Sequence, residues 1–519
     1  MFLAGLYFDE SCKMYKFPSS FSGRVCHHSG VAVVLLLLGT TGIFAAEAAA
    51  IEKEESWQIL LMSGQRIGYS RSLIEPFERD GQILVRAAIE THMTIKRFGQ
   101  VLRLATTLHT EETIDGDLLR FEFEMANPPA GATKTTGIIS GDKLTLENEI
   151  AGKKVTSTKP WDTTVKSPIY QERILKQHPL QPGETKSFAA YLPEFSKVAT
   201  IKIVADKMEP VTLLDDKTET ALKVKVTQSA VPGMFTLGWI DSNGVTLKSS
   251  TSMLGTDMVT YTVSREEALK KIDTEELDLA VSTLIKVKPI PGLYDRKEIT
   301  YRVHIPDQDP AEFLAVDDVQ SVKKIDDHTV ELTVVPLPIP PVSKTSDSPG
   351  PEFLQASEFL QVDDKNVQRH ANAAAGKLTD PAQIAKAMER YVRDKLDKKN
   401  FSTALASAAE VAENLEGDCT EHAVLLAAML RARHIPSRVA VGMVYVELDK
   451  QPSFGGHMWT EAFLNGKWVP LDGTLGRGGA TAGHIKLGDA SFSDENATPI
   501  GTFAPLMLAI GTMRIEVVE

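Results

Sequence analysis

Hydrophobic and polar residues alternate with a period of two along most of residues 55–265. Ile89, Thr91, Met93 and Ile95 alternate with Glu90, His92, Thr94 and Lys96; Phe121, Phe123 and Met125 with Glu122 and Glu124; Leu222, Val224 and Val226 with Lys223 and Lys225. Such alternation predicts antiparallel strands with one buried face. Turn-forming stretches separate them: Arg79-Asp80-Gly81, Asp115-Gly116-Asp117, Ser140-Gly141-Asp142 and Asp241-Ser242-Asn243-Gly244. Together they predict a large open or half-closed meander over 51–265. A helical pattern follows at 264–278, where Ser264 and Glu267 can form a capping box. The period of two returns at Ile299, Tyr301, Val303 and Ile305, and at Val330, Leu332 and Val334 beyond an Asp326-Asp327 turn. Residues 266–335 therefore read as a small helix-plus-β module. Residues 336–351, rich in Pro and Ser, read as a linker, partly in polyproline form.

After the linker the period changes to 3.6. Asp380-Pro381-Ala382-Gln383 offers an N-cap, a proline at the first helical position and a glutamine able to bond back. Ile384, Met388, Tyr391 and Leu396 continue as an apolar stripe. Residues 352–519 thus form a third domain that opens with helices, and the chain as a whole is of the α+β class.

Composition narrows the possible functions. A length of 519 residues suggests about three domains. At 43% hydrophobic and 24% charged, wholesale disorder and a collagen-like fibre are excluded. The formal charge of −13 (56 basic minus 69 acidic residues) argues against a nucleic-acid partner, which needs basic patches. Three cysteines, Cys12, Cys26 and Cys419, cannot brace a chain of this length as a disulfide scaffold.

Residues 31–46 carry no charge, follow Lys13, Lys16 and Arg24, and precede a run of small residues ending at Ala50. The stretch falls short of the roughly 20 residues that span a bilayer. It reads as the core of a secretory leader over 1–50, with Met14 as an alternative start. An uncleaved membrane anchor is the other reading. Either way the chain is expected to be exported, to the periplasm or cell envelope of a bacterium. Cleavage near Ala48 or Ala50 would remove Cys12 and Cys26. Cys419 would then be the single thiol of an exported protein, which points to reactivity rather than to an internal disulfide.

Cys419 lies in Gly417-Asp418-Cys419-Thr420-Glu421-His422, directly before the apolar helical run AVLLAAMLRA. It should therefore stand in the first turn of a helix, where unpaired N–H groups and the dipole favour a thiolate and could bind an oxyanion. His457 follows in Gly455-Gly456-His457-Met458-Trp459, and Asp472 in Pro470-Leu471-Asp472-Gly473. Between them Asn465-Gly466 marks a type I′ hairpin turn. Pairing 458–464 with 467–471 would bring His457 and Asp472 together. A helix-borne Cys with a His and an Asp on adjacent strands follows the logic of nucleophile, base and orienting carboxylate.

These three motifs, in this order, resemble the transglutaminase-like superfamily in its bacterial form, over about residues 380–476. The resemblance implies a papain-like core with Cys419 as nucleophile, His457 as base and Asp472 as orienter. The one departure is Gly473, where a proline often follows the Asp. It implies attack on the amide carbonyl of a protein or peptide and a thioester acyl-enzyme. That intermediate is resolved by water (a cysteine peptidase or amidase) or by an amine (a cross-linking acyltransferase). No cofactor is implied. With no His-Glu-x-x-His pattern, no metal site is expected. Trp459 is a candidate substrate-binding residue, His422 a packing residue or else one that supports the site or contacts substrate, and Ser407 or Asn414 a candidate oxyanion donor. His92 and His109 sit isolated in strand patterns. The alternative function is a non-catalytic envelope binding or assembly protein. It would use the β region and an inactive transglutaminase-like scaffold, with membrane contact only through an uncleaved leader.

Overall fold

The computed structural model describes residues 51–126, 131–150, 152–271, 278–306, 308–343, 349–448, 450–493 and 499–518. The expected leader at 1–50, with Cys12 and Cys26, lies outside them. From Ile51 onward the chain forms one compact unit. No helix among the described residues is long and apolar enough to cross a membrane.

The alternating region builds a single 14-stranded antiparallel sheet. Its first eight strands run as one meander from Glu54–Met62 to Lys153–Pro160, and the last six run as another from Thr185–Leu192 to Thr256–Val263. The two meanders join side by side where Glu54–Met62 pairs with Thr256–Val263. The sheet curls on itself. Lys166 bridges Asp117 on one side and Ala190 on the edge strand on the other. Phe121, Leu144, Trp161 and Tyr191 share the core beneath that seam.

The helix expected over 264–278 is much shorter. Ser264 caps it by accepting from the Glu267 N–H, but the helix covers only Arg265–Ala268, and a separate turn of helix spans Leu279–Ser282. Residues 272–277 lie outside the described set. The run has too few apolar residues to pack a stripe, as the half-exposed Leu269 indicates, and a helix this short has little stability of its own.

The strands expected after it are present, with one addition. Ile299–His304, Gln320–Asp326 and Thr329–Val334 form a four-stranded sheet whose fourth strand is Arg514–Val518, from the far end of the chain. The stretch 336–351 is docked rather than free over its described part. Leu337 and Ile339 pack on the helical core, and the Ser343 N–H donates to Asp380 Oδ2 at 2.8 Å.

The C-terminal region is α+β, as expected. Helices Lys365–Ala375, Pro381–Lys395, Ala408–Asn414 and Cys419–Arg431 pack on a five-stranded antiparallel sheet. Asp380 caps the second helix by accepting from the Gln383 N–H, and Ile384, Met388 and Leu396 are buried. The sheet is centred on Ser437–Leu448, which pairs with Gln451–Leu464 on one side and His484–Ala490 on the other. Part of this sheet packs on the helices. Another part, with Met443, Tyr445, Phe454 and Ile485, packs on Tyr301 and Leu332 of the four-stranded sheet.

Gly442 sits where three strands must be closest: it pairs with His457 on one side and Lys486 on the other. A Cβ there would meet the Ile485 carbonyl oxygen at 2.0 Å. Backbone cannot rotate away as a side chain can. Gly442→Ala is expected to cost about 1–3 kcal/mol of stability, read as a lowered melting temperature.

Candidate active site

Cys419 is the first residue of its helix, with Asp418 as N-cap. Asp418 Oδ1 accepts from the Thr420 N–H and hydroxyl, both at 2.9 Å, and Glu421 closes the capping box by accepting from the Asp418 N–H at 2.9 Å. Gly417 precedes them at φ +150°, and a Cβ there would lie 2.3 Å from the Glu421 side chain. The cap therefore requires glycine at this point. The Cys419 side chain is half-buried.

The hairpin forms around Asn465 and Gly466, both at positive φ, and pairs Thr460 with Leu471 through Leu464 with Lys467. It sets His457 against Asp472, with Nε2 to Oδ2 at 3.0 Å. Both side chains are buried. Because Nε2 serves the carboxylate, Nδ1 is the imidazole nitrogen left for the thiol. Burial alone would lower the His457 pKa. The Asp472 charge and hydrogen bond, joined by a hydrogen bond and charge from Cys419, overcome this and raise it to about 10. Burial would likewise raise the Asp472 carboxyl. The His457 charge and the bonds from His457 and His484 hold it well below the usual carboxylate range. Sequence reasoning thus brought Cys419, His457 and Asp472 to one place, and the structure has them there.

Two further residues went unnoticed in the sequence. His484, at the start of the edge strand His484–Ala490, donates from Nε2 to the same Asp472 Oδ2, also at 3.0 Å. Its tautomer follows from its other nitrogen, since Nδ1 lies 3.0 Å from the Thr481 N–H and must accept. Burial lowers its pKa, so it is a neutral donor. The ligand atoms of His457, Asp472 and His484 all lie within 4.8 Å of one another. Here the carboxylate is answered by two imidazole N–H groups, an arrangement that needs protons rather than a cation. Glu389 is the second. Its Oε1 accepts from the backbone N–H groups of Asp472 at 2.9 Å and Gly479 at 2.7 Å. It did carry a signal: a charge in line with Ala385 and Val392 on the buried stripe of its helix.

The remaining candidates divide. Trp459 is buried, stacks near His457 (centroids 6.1 Å) and meets His484 edge-on (5.4 Å), so it walls the imidazoles rather than an open groove. Its indole Nε1 has no partner among the described residues. His422 is buried, with Nδ1 donating to the Asp418 carbonyl and Nε2 accepting from Lys399 Nζ at 3.3 Å. Burial and the Lys399 charge lower its pKa to about 4 and keep it neutral. Ser407 is not a free oxyanion donor. Its hydroxyl is committed to Glu410 in the capping box of the helix Ala408–Asn414. Asn414 ends that helix, exposed.

Burial raises the Glu389 carboxyl from 4.5 to about 7, and the neighbouring Asp472 charge acts in the same direction. A raised carboxyl favours the fold while protonated. Its contribution is complete below pH 4.5 and is lost as pH rises to about 7. Glu389→Gln keeps the accepting oxygen and removes the titration. The variant should show a flatter melting-temperature profile between pH 4.5 and 7 and melt higher than the parent at pH 8.

Residues 368–473 match the sequence profile of the Transglutaminase-like superfamily. No curated protein sequence matches the chain. Similar solved structures include a candidate cysteine protease from Cytophaga hutchinsonii (16% identity, TM-score 0.26, covering 42% of this chain and 83% of that one). Another is a β-barrel-like protein of a domain of unknown function from Brucella abortus (12%, 0.30, 41% and 97%). A third is the periplasmic domain of TgpA from Pseudomonas aeruginosa bound to ethylmercury (15%, 0.23, 36% and 92%). The matched segment 368–473 contains Cys419, His457 and Asp472 and ends one residue past the last of them. Over those residues the chain carries a transglutaminase-like domain.

Proposed function

We propose that this protein is a cysteine enzyme acting on protein or peptide amides, with Cys419 as nucleophile, His457 as acid and base and Asp472 as orienter. The observation that carries the reading is the buried 3.0 Å bond from His457 to Asp472, with the Cys419 thiol as the other partner of the same imidazole. His457, its proton affinity raised by Asp472, takes the thiol proton. The thiolate attacks the amide carbonyl, and the Cys419 N–H at the helix start would donate to the oxyanion. His457 then hands its proton to the departing amine, leaving a thioester on Cys419. Water or a second amine next attacks the thioester, with His457 accepting the incoming proton. The thiolate leaves and the site is restored. Hydrolysis is favoured over amine transfer, since water is always present and no residue marks an amine site.

The uncharged stretch 31–46, its basic flank and the single thiol left after cleavage support export to the cell envelope.

The test uses the mature protein on amide substrates with and without an added primary amine. Release of free acid alone marks a hydrolase; a new amide with the added amine marks a transferase. Cys419→Ala should abolish both. Should Cys419→Ala retain turnover, or should iodoacetamide label Cys419 no faster than a simple thiol at neutral pH, the enzyme reading fails. The alkaline limb of kcat/KM should lie well above the ordinary imidazole value of 6.5, because the active form is lost only when His457 gives up its proton.

A further inference from the structure

One contact to the Cys419 helix comes from a distant part of the chain. The strands Gln82–Arg97 and Gln100–Thr113 are 16 and 14 residues long, among the longest of the N-terminal sheet. Their connecting turn, with Phe98 and Gly99 at positive φ, reaches the transglutaminase-like domain. Asp278 holds the turn by accepting from the Phe98 N–H at 3.0 Å and the Gly99 N–H at 2.6 Å. The Phe98 ring packs on Phe401 with centroids 4.8 Å apart, and Gln100 Oε1 accepts from the Phe401 N–H at 2.8 Å. Arg97 then enters the site. Its Nη1 donates to the Thr403 carbonyl at 2.9 Å and its Nη2 to Asp418 Oδ2 at 2.6 Å.

Asp418 creates a conflict. As N-cap it secures the helix that carries Cys419, yet its charge lies one residue from a thiol that must become a thiolate. Like charges in a buried place disfavour each other's ionised form. Asp418 is 2% exposed, so solvent offers little screening. Arg97 resolves the conflict with the charge of its guanidinium, which also interacts electrostatically with Cys419 and with Glu421. The other charged or titratable groups around the thiol are His457 backed by Asp472, then Glu421 and His422 on its own helix, and Lys399.

We propose that Arg97 is a positioning residue of the active site: it neutralises the Asp418 cap beside the nucleophile, so that reactivity of the transglutaminase-like domain depends on docking of the N-terminal sheet. The proposal rests on the reading of Cys419 as nucleophile. It gives the sheet a specific task, namely to supply a cation to the site from about 320 residues away in sequence.

The experiment follows iodoacetamide alkylation of Cys419 in the full chain as a function of pH, for the parent, Arg97→Gln, Arg97→Lys, Asp418→Asn and the Arg97→Gln/Asp418→Asn pair. Asparagine keeps the helix cap without the charge. Arg97→Gln should move the alkylation midpoint upward by about one pH unit or more and lower kcat/KM at neutral pH about tenfold. Arg97→Lys should recover part of the shift. Asp418→Asn alone should move the midpoint downward, and in the Arg97→Gln background it should reverse most of the upward shift. A merely structural role for Arg97 would lower the melting temperature without this opposite pair of shifts. If the parent reacts fast and Arg97→Gln has the same midpoint, this inference is overturned while the enzyme reading stands. If the parent itself reacts like a simple thiol, the enzyme reading fails first. Should Arg97→Gln not fold, Asp418→Asn still decides, because an upward or absent shift in that variant overturns the proposal.

Discussion

A carboxylate sealed away from water at Asp472 is the constraint on which the rest of this domain depends. Taking such a charge out of solvent costs several kcal/mol unless donors surround it. Here four do: imidazole N–H groups of His457 and His484 on Oδ2, and the backbone N–H groups of Thr474 and Leu475 on Oδ1. Its own N–H is taken by Glu389. These partners come from the first strand of the hairpin, the loop after it, the opposite edge of the sheet and a helix. Each must hold its place for the charge to be tolerated. The same enclosure gives the carboxylate its strong pull on the His457 proton, so the stability of the domain and the proton affinity of that imidazole have one source.

What was legible in the sequence followed from local rules. Period-two alternation marked the strands, Asn465-Gly466 marked the turn, and Gly417-Asp418 before an apolar run marked the start of the Cys419 helix. His457 and Asp472 could be joined because one short hairpin connects them. His484 could not, because it reaches Asp472 only through its pairing with Ser437–Leu448, and nothing in the sequence specifies which edge of that strand it takes. Arg97 was illegible for a related reason: its partner is some 320 residues away and caps a helix in another region of the chain. Glu389 was hidden among the residues of an apolar stripe. The helix expected at 264–278 failed in the other direction, since a good cap without an apolar face does not sustain a helix.

The regions of the chain are bound together more tightly than their sequence patterns suggest. Lys486, 1% exposed, sits between Glu461, Asp317 and Asp489, while Arg438 shares Glu461 Oε2 with it. Gln320 bonds both the N–H and the carbonyl of Lys486. The four-stranded sheet is thereby fastened to the strand that carries His484, two residues from the imidazole. Displacement of that sheet would be felt at Asp472. Ile285 and Lys286, ahead of the four-stranded sheet, add a short strand to the sheet of the transglutaminase-like domain itself.

The strand Arg514–Val518 pairs in register with Ile299–His304, from Thr300 opposite Val518 to His304 opposite Arg514. The whole transglutaminase-like domain is therefore a closed loop whose two ends are fastened in one sheet. Closing so long a loop is slow, because its entropy is lost before the pairing is gained. During synthesis the N-terminal sheet and the first three strands of the four-stranded sheet emerge well before their last partner. The half-made protein must carry an unpaired edge at Ile299–His304 until then, which makes that edge the point where misassembly or a folding helper would act first.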